Sequence, residues 1–305
     1  MSTEEDTADV PLRAPSVKVL TSTKACKLTP KKGESEVQPG DVTHIFLSKG
    51  NYQALDNTLG AFRALIVLEV RFNQLTTISG FRAASVERLH VDHNELTSLD
   101  FLSCFPNLKA LYADYNRITV GPNAFVACKH LESINLGYQE TVQPVFHADS
   151  FEGLLNLDDL AIPGNRLTDL AFLAPLSSAK RLIVSDNHLE SLEIFTLGSP
   201  APKPPQLSVT ELKMERTPIS RSPQLPQMAV YYWDVTELNG NSLTPFQTRF
   251  LRAKQGRVLG VVQSTTAPSP EVARRKEAVA RDQRLRLGGW TNSGNARPGV
   301  VRSMK

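Results

Sequence analysis

Six segments of this 305-residue chain share one spacing of apolar residues around a single amide side chain. Each follows L-x-x-L-x-L-x-x-N-x-L-x-x-L, with Val, Ile or Ala sometimes replacing Leu. The amides lie 21, 22, 23, 26 and 22 residues apart, at Asn73, Asn94, Asn116, Gln139, Asn165 and Asn187. A fixed period of about 20 to 50 residues is the signature of stacked structural repeats. The chain is therefore constrained to fold as an array of similar units.

The segment "RLHVDHNELTSL", residues 88–99, shows what one unit should form. Leu89 and Val91 alternate with polar residues, as the buried side of a short strand requires. One such unit cannot bury its own apolar face, so neighbouring units must stack to make a continuous core. The pattern predicts short parallel strands that line the concave face of a curved solenoid.

These six segments resemble the leucine-rich repeat family, and the resemblance covers roughly residues 42–245. A repeat of about 22 residues is similar to the short, intracellular, phosphatase-regulator type of that family. The resemblance implies an α/β repeat fold, a leucine-rich-repeat solenoid with a parallel concave sheet. It also implies that the anchoring amides bond to backbone groups of the turns and form a ladder.

The pattern weakens at both ends of the array. An early unit is expected at "VTHIFLSKG", with Gly50 in the asparagine place, and a late one at "VTELKMERTPI", with Thr217 there. For the last unit, "VYYWDVTELNGNSL", we align Val230, Trp233 and Val235 with the core positions. This alignment puts Leu238 in the asparagine place.

The repeats divide the chain into four parts. We expect a flexible, acidic or polar N-terminal segment over residues 1–40 and the solenoid over 41–243. A C-terminal cap helix is expected over 244–262, because a solenoid needs its exposed end covered. The rest, 263–305, is a basic tail with a possible short helix.

The cap helix has a clear start signal. Thr244 and Pro245 are typical of an N-cap followed by the first helical residue. Phe246, Phe250 and Leu251 fall at helical spacing, and we expect them to cover the end of the core.

Charge is divided unevenly along the chain. From Arg249 onward there are 13 Lys and Arg against 3 Asp and Glu, which leaves 21 against 28 before that point. An acidic body with a basic tail suggests two partner surfaces. We expect the tail to contact an acidic protein surface such as tubulin, or RNA, through Arg274, Arg275, Lys276, Arg281, Arg284 and Arg286.

The expected location is the cytoplasm, possibly at the cytoskeleton or in a cilium, with the nucleus as the alternative. The N-terminus lacks a secretory signal pattern, and no stretch is long and apolar enough to span a membrane, so no integral membrane contact is expected. The three cysteines, Cys26, Cys104 and Cys128, have no disulfide-framework spacing and favour free thiols.

Aromatic residues collect at two variable positions of the repeat. One position lies directly before the anchoring amide, and we call its residues the anchor row; the other lies between the strand leucines, and we call it the strand row. We predict a protein-binding patch centred on Tyr112 and Tyr115, since aromatic residues dominate binding hot spots. The alternative is that these rings only pack sideways between repeats. The predicted site comprises Phe72, His90, Asp92, His93, Tyr112, Asp114, Tyr115 and Tyr138.

Enzymatic and metal functions find little support in the sequence. His90, Asp92 and His93 could be zinc ligands by type, but two exposed histidines on a recognition surface explain them better. None of the phosphate-binding, dinucleotide-binding, metalloprotease or serine-hydrolase motifs occurs. We therefore expect no cofactor, no metal and no catalysis. The predicted function is a protein-binding scaffold or adaptor; the alternatives are an RNA-associated, splicing-type subunit or a phosphatase regulatory subunit.

Overall fold

The computed structural model describes residues 19–20, 38–55, 57–141, 145–176, 179–192 and 208–258. Its main feature is a ten-stranded sheet to which successive repeats contribute strands of two or three residues. The strands of the described part are β1 Val19–Leu20, β2 His44–Phe46, β3 Ala54–Leu55, β4 Val67–Glu69, β5 Arg88–His90, β6 Ala110–Tyr112, β7 Ser133–Asn135, β8 Asp159–Ala161, β9 Arg181–Ile183, β10 Glu211–Lys213, β11 Glu237–Leu238 and β12 Asn241–Ser242.

The sheet order confirms the solenoid prediction. The order is β12-β11-β10-β9-β8-β7-β6-β5-β4-β2, so each repeat lies beside its neighbours in sequence. All pairings are parallel except β11 with β12. Leu89 pairs with Leu68 on one side and Leu111 on the other, so equivalent repeat positions face each other. Both rows of variable positions are therefore true rows in space.

Burial follows the alternation that the repeat predicted. Leu89 and Val91 are fully buried, while His90 between them is half-buried on the solvent side of the sheet. That solvent side is the concave face. The opposite, convex returns are turns and short 3-10 helices such as Asp100–Cys104 and Ala171–Leu173, which fit the small space between closely stacked repeats.

The anchoring amides form the ladder that the resemblance implied. Asn94 Nδ2 donates to the carbonyls of Val70 and Val91, at 3.0 and 2.9 Å, and its Oδ1 accepts from the N–H of Leu75 at 3.1 Å. Gln139 makes the equivalent bond with a longer side chain: its Nε2 donates to the Ala113 carbonyl at 2.9 Å. Each amide thus satisfies backbone groups of two repeats that the tight turns would leave unpaired.

The alignment of the last repeat was wrong by five residues. Leu238 pairs with Leu212, so it is a strand leucine and not the anchor. Val230 and Trp233 lie in the helix α1, Leu225–Trp233, which replaces the extended return of the other repeats. The helix takes up more residues per unit length than an extended chain, and this shifts the pattern.

The predicted cap helix is α2, Pro245–Val258. Thr244 Oγ1 accepts from the N–H of Gln247 at 3.3 Å, and Gln247 Oε1 accepts from the N–H of Thr244 at 2.8 Å, which is a capping box. Only Leu251 of the three predicted core residues is buried. Phe246 and Phe250 are exposed, because α2 packs on α1 and not directly over the end of the sheet.

The terminal segments lie mostly outside the described residues. Within the predicted N-terminal segment, Val19–Leu20 pairs in parallel with Ala54–Leu55, an unforeseen strand. The predicted basic tail and its six cationic residues fall wholly outside. Neither described helix has the length and hydropathy to span a membrane.

Candidate partner-binding surface

The anchor row has one unusual backbone conformation throughout the array. Every member has positive φ, between 51° and 67°, in the left-handed region that bulky residues rarely enter. In six of the eight members the next residue is an anchoring amide, whose side chain is held by two repeats. The members are Lys49, Phe72, His93, Tyr115, Tyr138, Gly164, Asp186 and Arg216.

Four consecutive members of the anchor row form a continuous stack of rings, here called the ring stack. Ring centroids are 4.2 Å apart for Phe72 and His93, 4.3 Å for His93 and Tyr115, and 4.8 Å for Tyr115 and Tyr138. The planes are within 13° of parallel. The spacing matches the distance between neighbouring strands, so the sheet sets the stack.

The ring stack shows the sideways packing between repeats that the structural alternative required. Phe72 and Tyr115 nevertheless remain 44% and 42% exposed. The exposed part consists mainly of ring edges, because the faces cover one another. Binding of a partner by these rings stays a prediction.

The ring stack is closed at each end by a charged side chain. Lys49 Nζ lies 5.5 Å from the centroid of the Phe72 ring, within the range of a cation–π contact. At the other end, the Tyr138 hydroxyl donates to Asp186 Oδ2 at 2.8 Å, and Asp186 pairs with Arg216. The contact between Tyr138 and Asp186, which lie two repeats apart, was not predicted from the sequence.

The strand row supplies a second, shorter stack beside the first. His90 and Tyr112 are 4.3 Å apart with planes 2° from parallel. Between the two stacks lies a groove of about 400 Å³. Its lining residues are Arg71, Phe72, His90, Asp92, His93, Tyr112, Asp114, Tyr115 and Asn135.

The structure brings seven of the eight predicted site residues into this groove. Tyr138 lies outside it but continues the ring stack. Arg71 and Asn135 were missing from the predicted site, although both follow from the repeat register: Asn135 is the strand-row neighbour of Tyr112, and Arg71 is the counterpart of Asp92.

The two aspartates of the groove lining are withdrawn from water to different degrees. Asp92 is only 8% exposed and Asp114 is half-buried. Asp114 Oδ1 accepts from the N–H of Gly137 at 2.6 Å, whereas Asp92 Oδ1 has no partner.

Arg71 is the cation that faces these carboxylates. Its Nε lies 2.9 Å from Asp92 Oδ2 and 3.7 Å from Glu69 Oε1. Its Nη2 lies 2.7 Å from His90 Nδ1. Because arginine can only donate, His90 Nδ1 must accept, and the ring carries its proton on Nε2.

Burial shifts the pKa values of the titratable side chains in the groove. It raises the pKa of Asp92 to about 7, helped by the charges of Asp114 and Glu69 and opposed by Arg71. Burial also raises the pKa of Asp114 to about 6, against the hydrogen bond from Gly137. Burial and the charge of Arg71 lower the pKa of His90 to about 4, so this imidazole is neutral at physiological pH. Burial therefore makes the ionised forms of Asp92 and Asp114 unfavourable, and the single guanidinium of Arg71 faces both carboxyl groups.

Metal binding has no geometric support in the described part of the chain. Within those residues, no three His, Cys, Asp or Glu side chains converge as a metal site requires. His90 turns its Nδ1 to Arg71 and His93 stacks between two rings, so neither is placed as a ligand beside Asp92. The described cysteines, Cys104 and Cys128, are buried free thiols.

Comparison with known proteins finds other repeat proteins. No protein-family model matches the chain. Osteomodulin of Rattus norvegicus is 27% identical over 168 residues, 52% of this chain and 37% of that protein. Fibromodulin of Bos taurus is 23% identical over 138 residues, 43% of this chain and 34% of that protein. The match thus spans about a third of each relative's length.

Solved structures give a similar result. An internalin of Listeria monocytogenes covers 71% of this chain and 72% of its own, with 12% sequence identity and a TM-score of 0.46. A leucine-rich repeat protein of Leptospira interrogans covers 71% of this chain and 59% of its own, with 19% identity and a TM-score of 0.39.

Proposed function

We propose that this chain, which is a leucine-rich repeat protein, is a non-enzymatic scaffold that binds a protein partner on its concave face. The observation that carries the proposal is the ring stack, which keeps Phe72 and Tyr115 more than 40% exposed. Rigid aromatic side chains bury much area while losing little conformational entropy, which suits them to binding hot spots.

The rigidity of the surface supports the same function. The ring stack is fixed by the sheet spacing and by left-handed turns, and the turns are fixed by the amide ladder. A pre-organised surface binds without a large ordering penalty. No described residue arrangement suggests a nucleophile activated by a neighbouring base: Asp92 and His90 each pair with Arg71.

The proposal is tested by capturing partners from the source cell with the intact chain and with the double variant Tyr112→Ala/Tyr115→Ala. We expect a protein recovered by the intact chain to be lost selectively with the variant. The matched control is Phe246→Ala/Phe250→Ala, which removes two exposed aromatic residues from the cap helix. Identical partner lists for the wild type and the Tyr variant, both folded by circular dichroism, would contradict a function of the concave face.

We further propose that the basic tail makes a second contact with an acidic protein surface such as tubulin, in the cytoplasm at the cytoskeleton or in a cilium. Its support is the excess of 13 Lys and Arg over 3 Asp and Glu from Arg249 onward. RNA is the alternative ligand, as in a splicing-type subunit. A tail–RNA complex would weaken steeply with salt as counterions are released. A phosphatase regulatory role rests on repeat length alone.

A further inference from the structure

The groove between the two aromatic stacks holds more acidic side chains than cations, and Arg71 Nε, although 2.9 Å from Asp92 Oδ2, is itself a buried donor without a hydrogen bond. Glu69, Asp92 and Asp114 face a single guanidinium, that of Arg71. Asp92 is more than nine-tenths buried, yet its Oδ1 has no hydrogen-bond partner. The side-chain oxygen of Asn135, also in the groove lining, is buried and unpartnered as well. Unpaired buried acceptors are costly, and in native structures they mark the place of a missing donor.

We propose that this groove receives an arginine side chain of the protein partner, whose guanidinium donates to the carboxyl groups of Asp92 and Asp114. The inference rests on the proposed function and names the chemistry of the partner. A positive charge here would offset the excess of acidic side chains, and one of its N–H groups would satisfy the unpartnered Asp92 Oδ1. A short turn of the Asp92 carboxyl group about its terminal torsion brings Oδ1 toward the groove, and that torsion is soft in aspartate.

The groove favours arginine over other side chains for two physical reasons. A guanidinium presents several donors in one plane, which suits the carboxyl groups of Asp92 and Asp114 on neighbouring repeats, whereas lysine is a strongly hydrated point charge. An apolar side chain would bury the carboxylates further without pairing them, which is unfavourable. Ring edges of Phe72, His93 and Tyr115 line one wall and contact the methylene stem of the arginine.

The test is a peptide-display selection on the full-length chain, followed by binding measurements with the synthetic winners. We expect enriched peptides to share one arginine at a fixed position. Replacing that arginine by citrulline, which keeps the shape but not the charge, should weaken binding at least about tenfold, and lysine should bind more weakly than arginine. Asp92→Asn/Asp114→Asn in the chain should cause a similar loss.

The control variant is Glu215→Gln, which removes a carboxylate from the repeat position equivalent to Asp92 but outside the groove. It should leave binding unchanged. Peptides without an arginine preference, or binding that is equal on Asp92→Asn/Asp114→Asn, would overturn the inference. If those same peptides still require Tyr112 and Tyr115, the proposed function survives that failure.

A further variant distinguishes the partner from the chain's own basic tail as the source of the arginine. It replaces the six predicted tail cations, from Arg274 to Arg286, by glutamine. Equal selection on the wild type and on this variant supports an arginine from the partner. Arginine peptides that bind only after the tail is neutralised would assign the groove to the tail and overturn the inference.

Discussion

At the scale of single residues, Asp92 is the group whose burial differs most from what its position in the repeat predicts. A polar residue at a variable repeat position is expected to face water. Here Asp92 is 8% exposed, and Arg71 Nε lies 2.9 Å from its Oδ2. The repeat pattern gave Asp92 its place in the repeat but could not give its burial, because burial depends on how side chains of neighbouring repeats pack.

Asp92→Asn should stabilise the protein at neutral pH and not at acid pH. The folded pKa of Asp92 is about 7 against 3.8 in the unfolded chain, so the stability carried by its protonated form is complete below about pH 4 and is lost as pH rises through 7. The asparagine variant has no such loss. We expect it to exceed the wild type by roughly 1–2 kcal/mol at pH 8 and to match it near pH 4.

Urea unfolding of both proteins at pH 4.5, 6 and 8 measures this difference. Comparing variant with wild type removes the contributions of Asp114, which has the same sign as Asp92, and of His90, which has the opposite sign. The His90 contribution is present above about pH 6.5 and is lost as pH falls through 4, because its folded pKa is lowered. A constant difference across this range would mean that Asp92 is ionised normally.

At the scale of the structural element, the amide ladder determines which repeat features are visible in the sequence. The anchors are recognisable because one amide side chain can donate to two backbone carbonyls and accept from a backbone N–H at a tight turn. Gln139 was correctly aligned with the asparagines since its apolar neighbours keep the spacing. The last repeat was misaligned because α1 replaces its return, and a helical return changes the residue count without changing the apolar composition.

Asn116→Ala should cost about 3 kcal/mol in unfolding free energy. The side chain donates to the carbonyls of Val91 and Ala113, at 3.0 and 3.1 Å, and accepts from the N–H of Leu96 at 3.1 Å, all of them buried. Alanine leaves these groups unpaired away from water. Asn107→Ala is the control, because Asn107 makes an exposed bond to the Ala84 carbonyl and should cost under about 1 kcal/mol. Equal losses of unfolding free energy for the two variants, measured by urea unfolding, would show that the ladder does not stabilise the fold.

At the scale of the whole molecule, one row of side chains connects eight repeats. The anchor row begins with Lys49 over a ring, passes through the ring stack and ends in the ion pair of Asp186 with Arg216. Its membership was readable from the sequence, because equivalent repeat positions must form rows. The continuity of the row could not be predicted from the sequence, because Tyr138 reaches across a repeat to Asp186, and only side-chain placement shows this contact.

Gly164 is the residue that permits this reach. A Cβ at this position would lie 2.2 Å from Cδ1 of Tyr138, so the ring rests directly on the glycine. Gly164→Ala should push the ring away and break its hydrogen bond to Asp186, while the fold persists, because seven other members of the row hold left-handed backbone with a side chain. The added backbone strain should be about 1–2 kcal/mol.

Loss of the hydrogen bond from Tyr138 to Asp186 is detectable in the pKa of the Tyr138 phenol. The hydrogen bond to Asp186, burial and the charge of Asp186 together raise the pKa of this phenol, so the pKa should fall toward its ordinary value in Gly164→Ala. The measurement is a pH titration of the ¹³Cζ tyrosine resonances, with Gly121→Ala as control because a Cβ there meets open space. An unchanged Tyr138 titration would show that the ring does not depend on Gly164. A lowered pKa, joined to weaker binding of the partner, would show that the aromatic surface and the ion pair two repeats away form one continuous binding element.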